Sequence, residues 1–335
     1  MSSFILQQQE EVIALAQFDI KNAVLKKCIL KEGETVITVP DGVTVIGKDA
    51  LCGLQSVIAV TLPESLKVIN DGAFYGCSSL TSVTLPGGVE RLGSCAFAQC
   101  SALNTIYLDN KLTEIGNSAF WGCTSLESID IPTGVTKIGY NLFGSCLSLI
   151  SVSLPDTVTE LDERAFKECT SLAYITLPDS LLKIGNMAFL NCHSLRSVNI
   201  PDRLESIGEK AFFMCESLNE LEIPDGIISV GGDAFSDCVS VTVRSTISGK
   251  PLYKAVTATD GSSVYNFILR NIWGKGGFDF TAQDNYFPAL QDENLQYAIA
   301  FSRLMYRVNL SAAAEEHYLD FLHNNAENAV RYCIT

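Results

Sequence analysis

Ser78–Cys100 reads SSLTSVTLPGGVERLGSCAFAQC, and the fold follows from how these 23 residues can be buried. Leu80, Val83 and Leu85 alternate toward Pro86, and the β-branched residues between them suit a short strand with its odd positions inward. Pro86 ends that strand, because a residue without an N–H cannot extend a backbone ladder. Val89 and Leu92 make a second inward edge, Gly93 follows at a corner, Ala96 and Phe97 fill the far side, and Cys100 closes the unit.

The same unit recurs without insertion or deletion from Gly33 to Ile247, about nine times. Cysteine returns every 23 residues at 77, 100, 123, 146, 169, 192, 215 and 238. Phenylalanine keeps step from Phe74 to Phe235, and proline from Pro40 to Pro224, with Asp109 the one interruption of the proline row. Glycine occupies the corner at 47, 93, 116, 139, 185, 208 and 231, and Asn70 and Asp162 replace it with the residues that best tolerate a left-handed backbone. The spacing therefore predicts φ > 0 at this corner in every coil.

A 23-residue unit cannot bury its own apolar edges, but stacked units can, with like positions forming ladders. The fold expected is a repeat solenoid, a leucine-rich-repeat right-handed β-solenoid of nine coils about 40 Å long, at ~4.8 Å per strand. The pattern L-x-x-[VI]-x-[LI]-P-x-x-V-x-x-[IL]-G-x-x-A-F-x-x-C resembles the BspA-type leucine-rich repeat of bacteria and some protozoa. The preceding FDIKNAVLKKCILKEGETVITVP resembles the hairpin-like opening of such arrays. The resemblance implies a binding or adhesion module, directed in some members at host or matrix proteins, with no catalytic activity.

An array needs covered ends. Residues 1–32 read as an N-terminal cap, a short helix over 1–17 followed by a strand over 18–32. The solenoid spans 33–247, and its packing should stop after Val241, because Arg244 falls where earlier coils place a buried Val or Ile. Residues 248–291 form an aromatic and glycine-rich connecting segment, and 292–335 show helical spacing for a helical pair, with Ser311 as a candidate N-cap. The chain stops at Cys333-Ile334-Thr335 without a glycine stop or charged tail, as a truncated parent chain would.

With 47% hydrophobic residues the chain can bury a large core. Its 23 basic and 38 acidic residues give −15, which opposes nonspecific nucleic-acid binding and a polybasic grip on membranes. No apolar run approaches the ~20 residues of a membrane span, and the N-terminus lacks a signal-peptide core, so a cytoplasmic location is expected, with the cell surface as the alternative from the resemblance. The periodic cysteines lack the clustered spacing of metal ligands and read as buried thiols, a ladder that favours a reducing compartment. His193, His317 and His323 complete no nucleophile motif, and no phosphate or dinucleotide fingerprint occurs. No catalytic residue, metal or cofactor is assigned.

The side chains two and four residues before each proline should share the exposed concave face of the stack. Most are Thr and Ser, a plain strand surface. Against it stand Tyr107, Asp130, Tyr174, Arg196, Asn199, Glu220 and Glu222, which are the partner-binding candidates. A second row follows each phenylalanine, with Trp121, Leu190 and Phe213. Exposed, these would make an oligomer contact; tucked under neighbouring loops, they are core. Asp202–Asp237 carries nine acids and two bases, net −7, which suits either solubility or attraction of a basic partner. The function expected is a non-enzymatic protein–protein interaction module, with a structural or self-assembling role, or a cell-surface adhesin of the BspA type, as alternatives.

Overall fold

A computed structural model describes residues 16–218 continuously, then 221–224, 226–235, 238, 240–244, 251–256, 273–274, 277–278, 287, 296, 299–300, 303–304 and 310–325. Each coil makes three runs. The first is a three- or four-residue strand: β3 (Val36–Thr38), β5 (Ala59–Thr61), β7 (Ser82–Thr84), β9 (Thr105–Tyr107), β11 (Ser128–Asp130), β13 (Ser151–Ser153), β15 (Tyr174–Thr176), β17 (Ser197–Asn199) and β19 (Leu221–Pro224). The second is a two-residue strand: β4 (Val45–Ile46), β6 (Val68–Ile69), β8 (Arg91–Leu92), β10 (Glu114–Ile115), β12 (Lys137–Ile138), β14 (Glu160–Leu161), β16 (Lys183–Ile184), β18 (Ser206–Ile207) and β20 (Ser229–Val230). The third is a turn-rich run through the phenylalanine. Strands pair parallel with the coil's own 23-residue step, as Val36 with Ala59 and Val68 with Arg91. A hairpin of β1 (Gln17–Lys21) and β2 (Val24–Ile29) opens the second sheet, β2 lying parallel to β4 and β1 covering its outer edge.

One apolar core runs the length of the stack. The leucine, phenylalanine and cysteine rows are buried throughout, as at Leu103, Phe120 and Cys146. Phe74 to Phe235 stack face to face, ring centroids 4.9 to 6.0 Å apart and planes within 16°. The thiols do specific work beside them. Cys100 Sγ donates to the Phe74 carbonyl at 3.1 Å, and the same carbonyl accepts the Cys77 N–H. This repeats in every later coil, to Cys238 on Phe212. Hydroxyls tie coils in the same way, as Thr81 to the Ile58 carbonyl and Thr159 to that of Thr136.

Three expectations change. The corner glycines at 93, 116, 185, 208 and 231 do not take φ > 0, nor do Asn70 and Asp162. Left-handed residues come two positions later, at Asp49, Gly72, Cys95, Ser118, Asn141, Arg164, Met187, Lys210 and Asp233, with φ between 52° and 62°, and again four residues further on, as at Gln99, Gly122 and Ser145. Glycine is needed at the corner for approach: a Cβ on Gly185 would sit 2.6 Å from both Asp162 C and Glu163 N of the coil before. Second, the stack does not stop at Val241. Strand β21 (Ser240–Arg244) pairs parallel with β19 through a step of 20, setting Leu221 against Val241 and Pro224 against Arg244. A last turn three residues shorter moves Arg244 from the buried row to the proline's place, and the antiparallel strand β22 (Pro251–Val256) then closes the sheet.

Third, one continuous helix stands among the described residues of the expected pair: α1 (Ala312–Asn324), its N-cap Ser311 accepting the Ala314 N–H at 3.1 Å. Its Ala314 and Tyr318 are buried with Phe287, Ile299 and Ala300 in a separate small core, Phe287 lying edge-on to Tyr318 at 4.5 Å. Gln296, Ile299, Ala300, Arg303 and Leu304 have helical backbone, and the rest of 292–309 lies outside the described residues; of the helix expected over 1–17, residues 1–15 lie outside them too, and Gln17 belongs instead to strand β1. Strands β23 (Trp273–Gly274) and β24 (Gly277–Phe278) pair antiparallel.

The corner makes opposite demands two residues apart. Gly185→Ala should lower the urea midpoint by about 1–3 kcal/mol of stability, because a Cβ there forces two coils apart. Met187→Gly should change stability by less than about 1 kcal/mol, since a left-handed backbone suits glycine while its extra chain entropy opposes folding. Equal losses in urea unfolding would refute this assignment of the two positions.

Candidate functional site

The outward positions of the first sheet are exposed, as their alternation requires, and most carry hydroxyls. Tyr107 is 70% and Tyr174 56% exposed, unusual for rings of that size. Asp130 on β11, Arg196 just before β17 and Glu222 on β19 are exposed too, and Glu220 lies outside the described residues. Asn199 differs. Its amide donates to the Leu177 carbonyl at 2.9 Å and accepts the Leu177 N–H at 2.8 Å, so the side chain is engaged by the preceding coil.

Two residues outside the expected rows join the tyrosines. Ile150, directly before β13, is 55% exposed, and Leu147 in the same coil 42%. Ile150 occupies the place held one coil earlier by Glu127 and two coils later by Arg196, and it shares with Ile58 an exposed large apolar side chain in a row that also carries Thr, Asn, Ala and charged residues. Beside them runs an acidic rail. Asp156, Asp179 and Asp202, each next after its coil's proline, are exposed at one-coil spacing. Asp179, Asn199, Ile200, Pro201, Asp202 and Arg203 line a recess of about 370 Å³ on that edge. Among the described residues, no three His, Cys, Asp or Glu side chains converge as metal ligands.

The row after the phenylalanines is uneven. Trp121, Leu190 and Phe213 are half-buried, while Ala98 in the same row is fully covered. Leu190 and Phe213 sit in adjacent coils, where Asn191 N–H donates to the Phe213 carbonyl, but Trp121 stands three coils away. The structure therefore brings two of the three together and makes no continuous strip.

The second sheet carries alternating charge. Arg91 Nε meets Glu114 Oε1 at 2.9 Å; Glu160 is held between Lys183 at 2.7 Å and Lys137 at 3.2 Å, and Lys137 reaches Asp162 at 2.9 Å. The Lys183 bond, with help from Lys137, pulls the Glu160 carboxyl below its ordinary range despite partial burial. For Asp162, partial burial acts upward, but the Lys137 bond and the Glu163 N–H bring it down overall. An open groove of about 480 Å³ lies beside this ladder, floored by Gly185, Gly208 and Gly231 and edged by Asp162, Lys183 and Glu209. Burial holds the thiol ladder from Cys123 to Cys215 in its protonated form, while at its start the Cys100 thiol lowers the pKa of Cys77. Cys123 and Cys215 are pushed up to about 12 by desolvation, and Cys146, Cys169 and Cys192 well above the usual thiol value.

Parallel in-register coils, ladders of leucine and an exposed first sheet define a leucine-rich-repeat solenoid. The chain belongs to the BspA-type leucine-rich repeat family, whose repeat region matches residues 19–150 and 136–251. It is similar to a leucine rich cell surface protein of Faecalibacterium prausnitzii, 29% identical over 69% of this chain and 74% of that one, TM-score 0.55. Leucine-rich repeat proteins of Bacteroides ovatus (23% identical, 70% and 81% covered, TM-score 0.45) and T. pallidum (27%, 67% and 86%, 0.42) also match. A comparison with curated proteins gives no match. No helix of the described residues is long and apolar enough to cross a membrane.

Two outcomes follow from these environments. A thiol reagent at pH 8 should modify exposed Cys52 and half-exposed Cys95 in the native protein and leave the buried ladder untouched until urea is added; native labelling at Cys146 or Cys169, read by peptide mass spectrometry, would contradict it. Glu160 and Asp162 have folded values below their unfolded ones, so their contribution is complete above about pH 5 and is lost as pH falls through the folded values. Glu160→Gln should therefore lower the urea midpoint at pH 7 and have little effect at pH 3; an equal effect at both would exclude the ionic origin.

Proposed function

We propose that the chain is a non-enzymatic protein-binding module whose partner contacts the exposed face of the first sheet. One observation carries the reading: Tyr107, Leu147, Ile150 and Tyr174 hold large apolar area in water within four successive coils, on or beside a sheet face whose outward positions are mostly Ser and Thr, with Val36 and Ile58 exposed farther along it. The rail of Asp156, Asp179 and Asp202 beside them favours a partner segment that combines apolar anchors with lysine or arginine. Asn199 contributes through the backbone it braces, whereas Asp130, Arg196 and Glu222 stand at the polar margin. The relative described as a cell surface protein favours display at a surface over the cytoplasm.

The test is affinity purification from the native source with wild type and Tyr107→Ala/Ile150→Ala/Tyr174→Ala as paired baits, followed by titration of the protein recovered. Truncating hot-spot anchors should weaken that partner by about 30-fold or more, about 2 kcal/mol. Asp156→Asn/Asp179→Asn should slow association and flatten its salt dependence. A partner held equally by wild type and the triple variant would overturn the assignment of the face.

A further inference from the structure

We infer that the solenoid is built as two rigid blocks hinged between the coil of β9 and β10 and the coil of β11 and β12. The observation is a coincidence of interruptions at one junction. The first sheet is unpaired at three places among the described residues, β9/β11, β13/β15 and β17/β19. At the second and third of these the other sheet runs through, since β14 pairs β16 and β18 pairs β20. At the first it does not. The second sheet runs β1-β2-β4-β6-β8-β10, breaks, and resumes β12-β14-β16-β18-β20.

The individual bonds show the same gap. Glu90, Thr113, Thr159, Leu182 and Glu205 each donate their N–H to the coil before, and among the described residues Thr136 has no such bond. Gly116, Asp162, Gly185 and Gly208 do likewise, but not Gly139. On the first sheet Asn104 and Ile150 bond the preceding coil, and Glu127 between them does not. The ion pairs skip the same step: Arg91 meets Glu114 and Lys137 meets Glu160, but Glu114 and Lys137 form no pair.

What crosses the junction lies on the phenylalanine side. Ser118, Phe120 and Gly122 donate to the carbonyls of Tyr140, Leu142 and Gly144 at 2.9 to 3.1 Å, Phe120 stacks on Phe143 at 5.7 Å, and Ser125 N–H and the Thr124 hydroxyl both reach the Ser101 carbonyl. Four backbone bonds, the Thr124 hydroxyl on Ser101, the Cys146 thiol on the Phe120 carbonyl and a ring stack hold this side, and with both strand runs unpaired they make a hinge line. A local cause is visible at the opposite corner. Asp109 stands where every other coil has proline, Leu108 beside it is only half-buried, and Ile115 is the most exposed of its row up to Ile207. Flexing about the phenylalanine wall widens the gap from Tyr107 to Asp130 and from Glu114 to Lys137. The hinge thus cuts the face assigned above, although its existence does not rest on that assignment.

Native-state hydrogen exchange on the full chain, without partner, tests the hinge directly. Amides of Glu127, Thr136 and Gly139 should exchange about tenfold or more faster than their equivalents one coil later, Ile150, Thr159 and Asp162. In rising urea, the second-sheet amides of β4–β10 and of β14–β20 should separate into two unfolding isotherms. A disulfide from Glu114→Cys/Lys137→Cys, in a Cys52→Ser/Cys95→Ser background, should slow Thr136 and Gly139 by a similar factor and merge the two isotherms. A single isotherm across both blocks in the wild type, with Thr136 and Gly139 as protected as Thr159 and Asp162, would overturn the proposal whatever the partner experiment shows.

Discussion

Stacking depends on each coil returning to the same phase after 23 residues, and the phenylalanine wall is where that phase is enforced. Three N–H donors per coil reach forward to three carbonyls at seven successive junctions, from Asp49, Leu51 and Gly53 to Met187, Phe189 and Asn191, and Lys210 and Phe212 continue the pattern at the next, while both sheets are interrupted somewhere. A coil one residue longer would turn its leucines and cysteines out to water and its hydroxyls inward, since side chains alternate along a strand. The Phe carbonyl takes both its own coil's Cys N–H and the next coil's thiol, so even the cysteine row is held by this phase. Burial is then a consequence: once the walls repeat, like residues cannot avoid one another.

Much of this was legible because a repeat is its own alignment. Residues that recur are the ones stacking needs, so the Leu, Val, Phe and Cys ladders and the outward Thr and Ser rows could be read from one unit and multiplied. What failed were properties that belong to no single unit. Gly185 looked like a left-handed corner because glycine in isolation signals conformational freedom, yet its cause is the backbone of the previous coil at 2.6 Å. Met187 and Arg164 hold the left-handed position without any compositional mark. The last turn, shortened to 20 residues, shifted Arg244 out of the frame that made it seem a stop. Asn199 read as a surface group because the Leu177 amide it braces lies 22 residues away. Ile150 holds the same place as Arg196, where charge marks the arginine as a surface group and an isoleucine before a strand reads as core.

In-register stacking also constrains charge. A charged residue repeated in every coil faces its own kind at each step, at about strand spacing, which is unfavourable. The second sheet escapes by alternating sign, with Arg91, Glu114, Lys137, Glu160 and Lys183 in one row. Such exposed pairs add little stability each, so their chief effect is to disfavour coils stacked in the wrong order. The rail of Asp156, Asp179 and Asp202 follows the contrary rule and keeps like charges together. Stability does not ask for that arrangement; a basic partner would.

The departures from the repeat are therefore the informative residues, and they are not scattered evenly. Ile150, Leu147, Tyr174 and the aspartate rail all belong to the block that begins at β11, while Tyr107 ends the block before it. Asp109, the lone break in the proline row, lies two residues from Tyr107 at the corner where both sheets part. A rigid stack would present these anchors at one fixed separation. With the junction held along a single wall, that separation can vary without breaking a strand pairing, because neither sheet is paired there. The residue that spoils the repeat and the most exposed large apolar side chain are thus neighbours for a mechanical reason: Tyr107 lies across the coil from the wall that holds the junction, on the side where a tilt opens the gap.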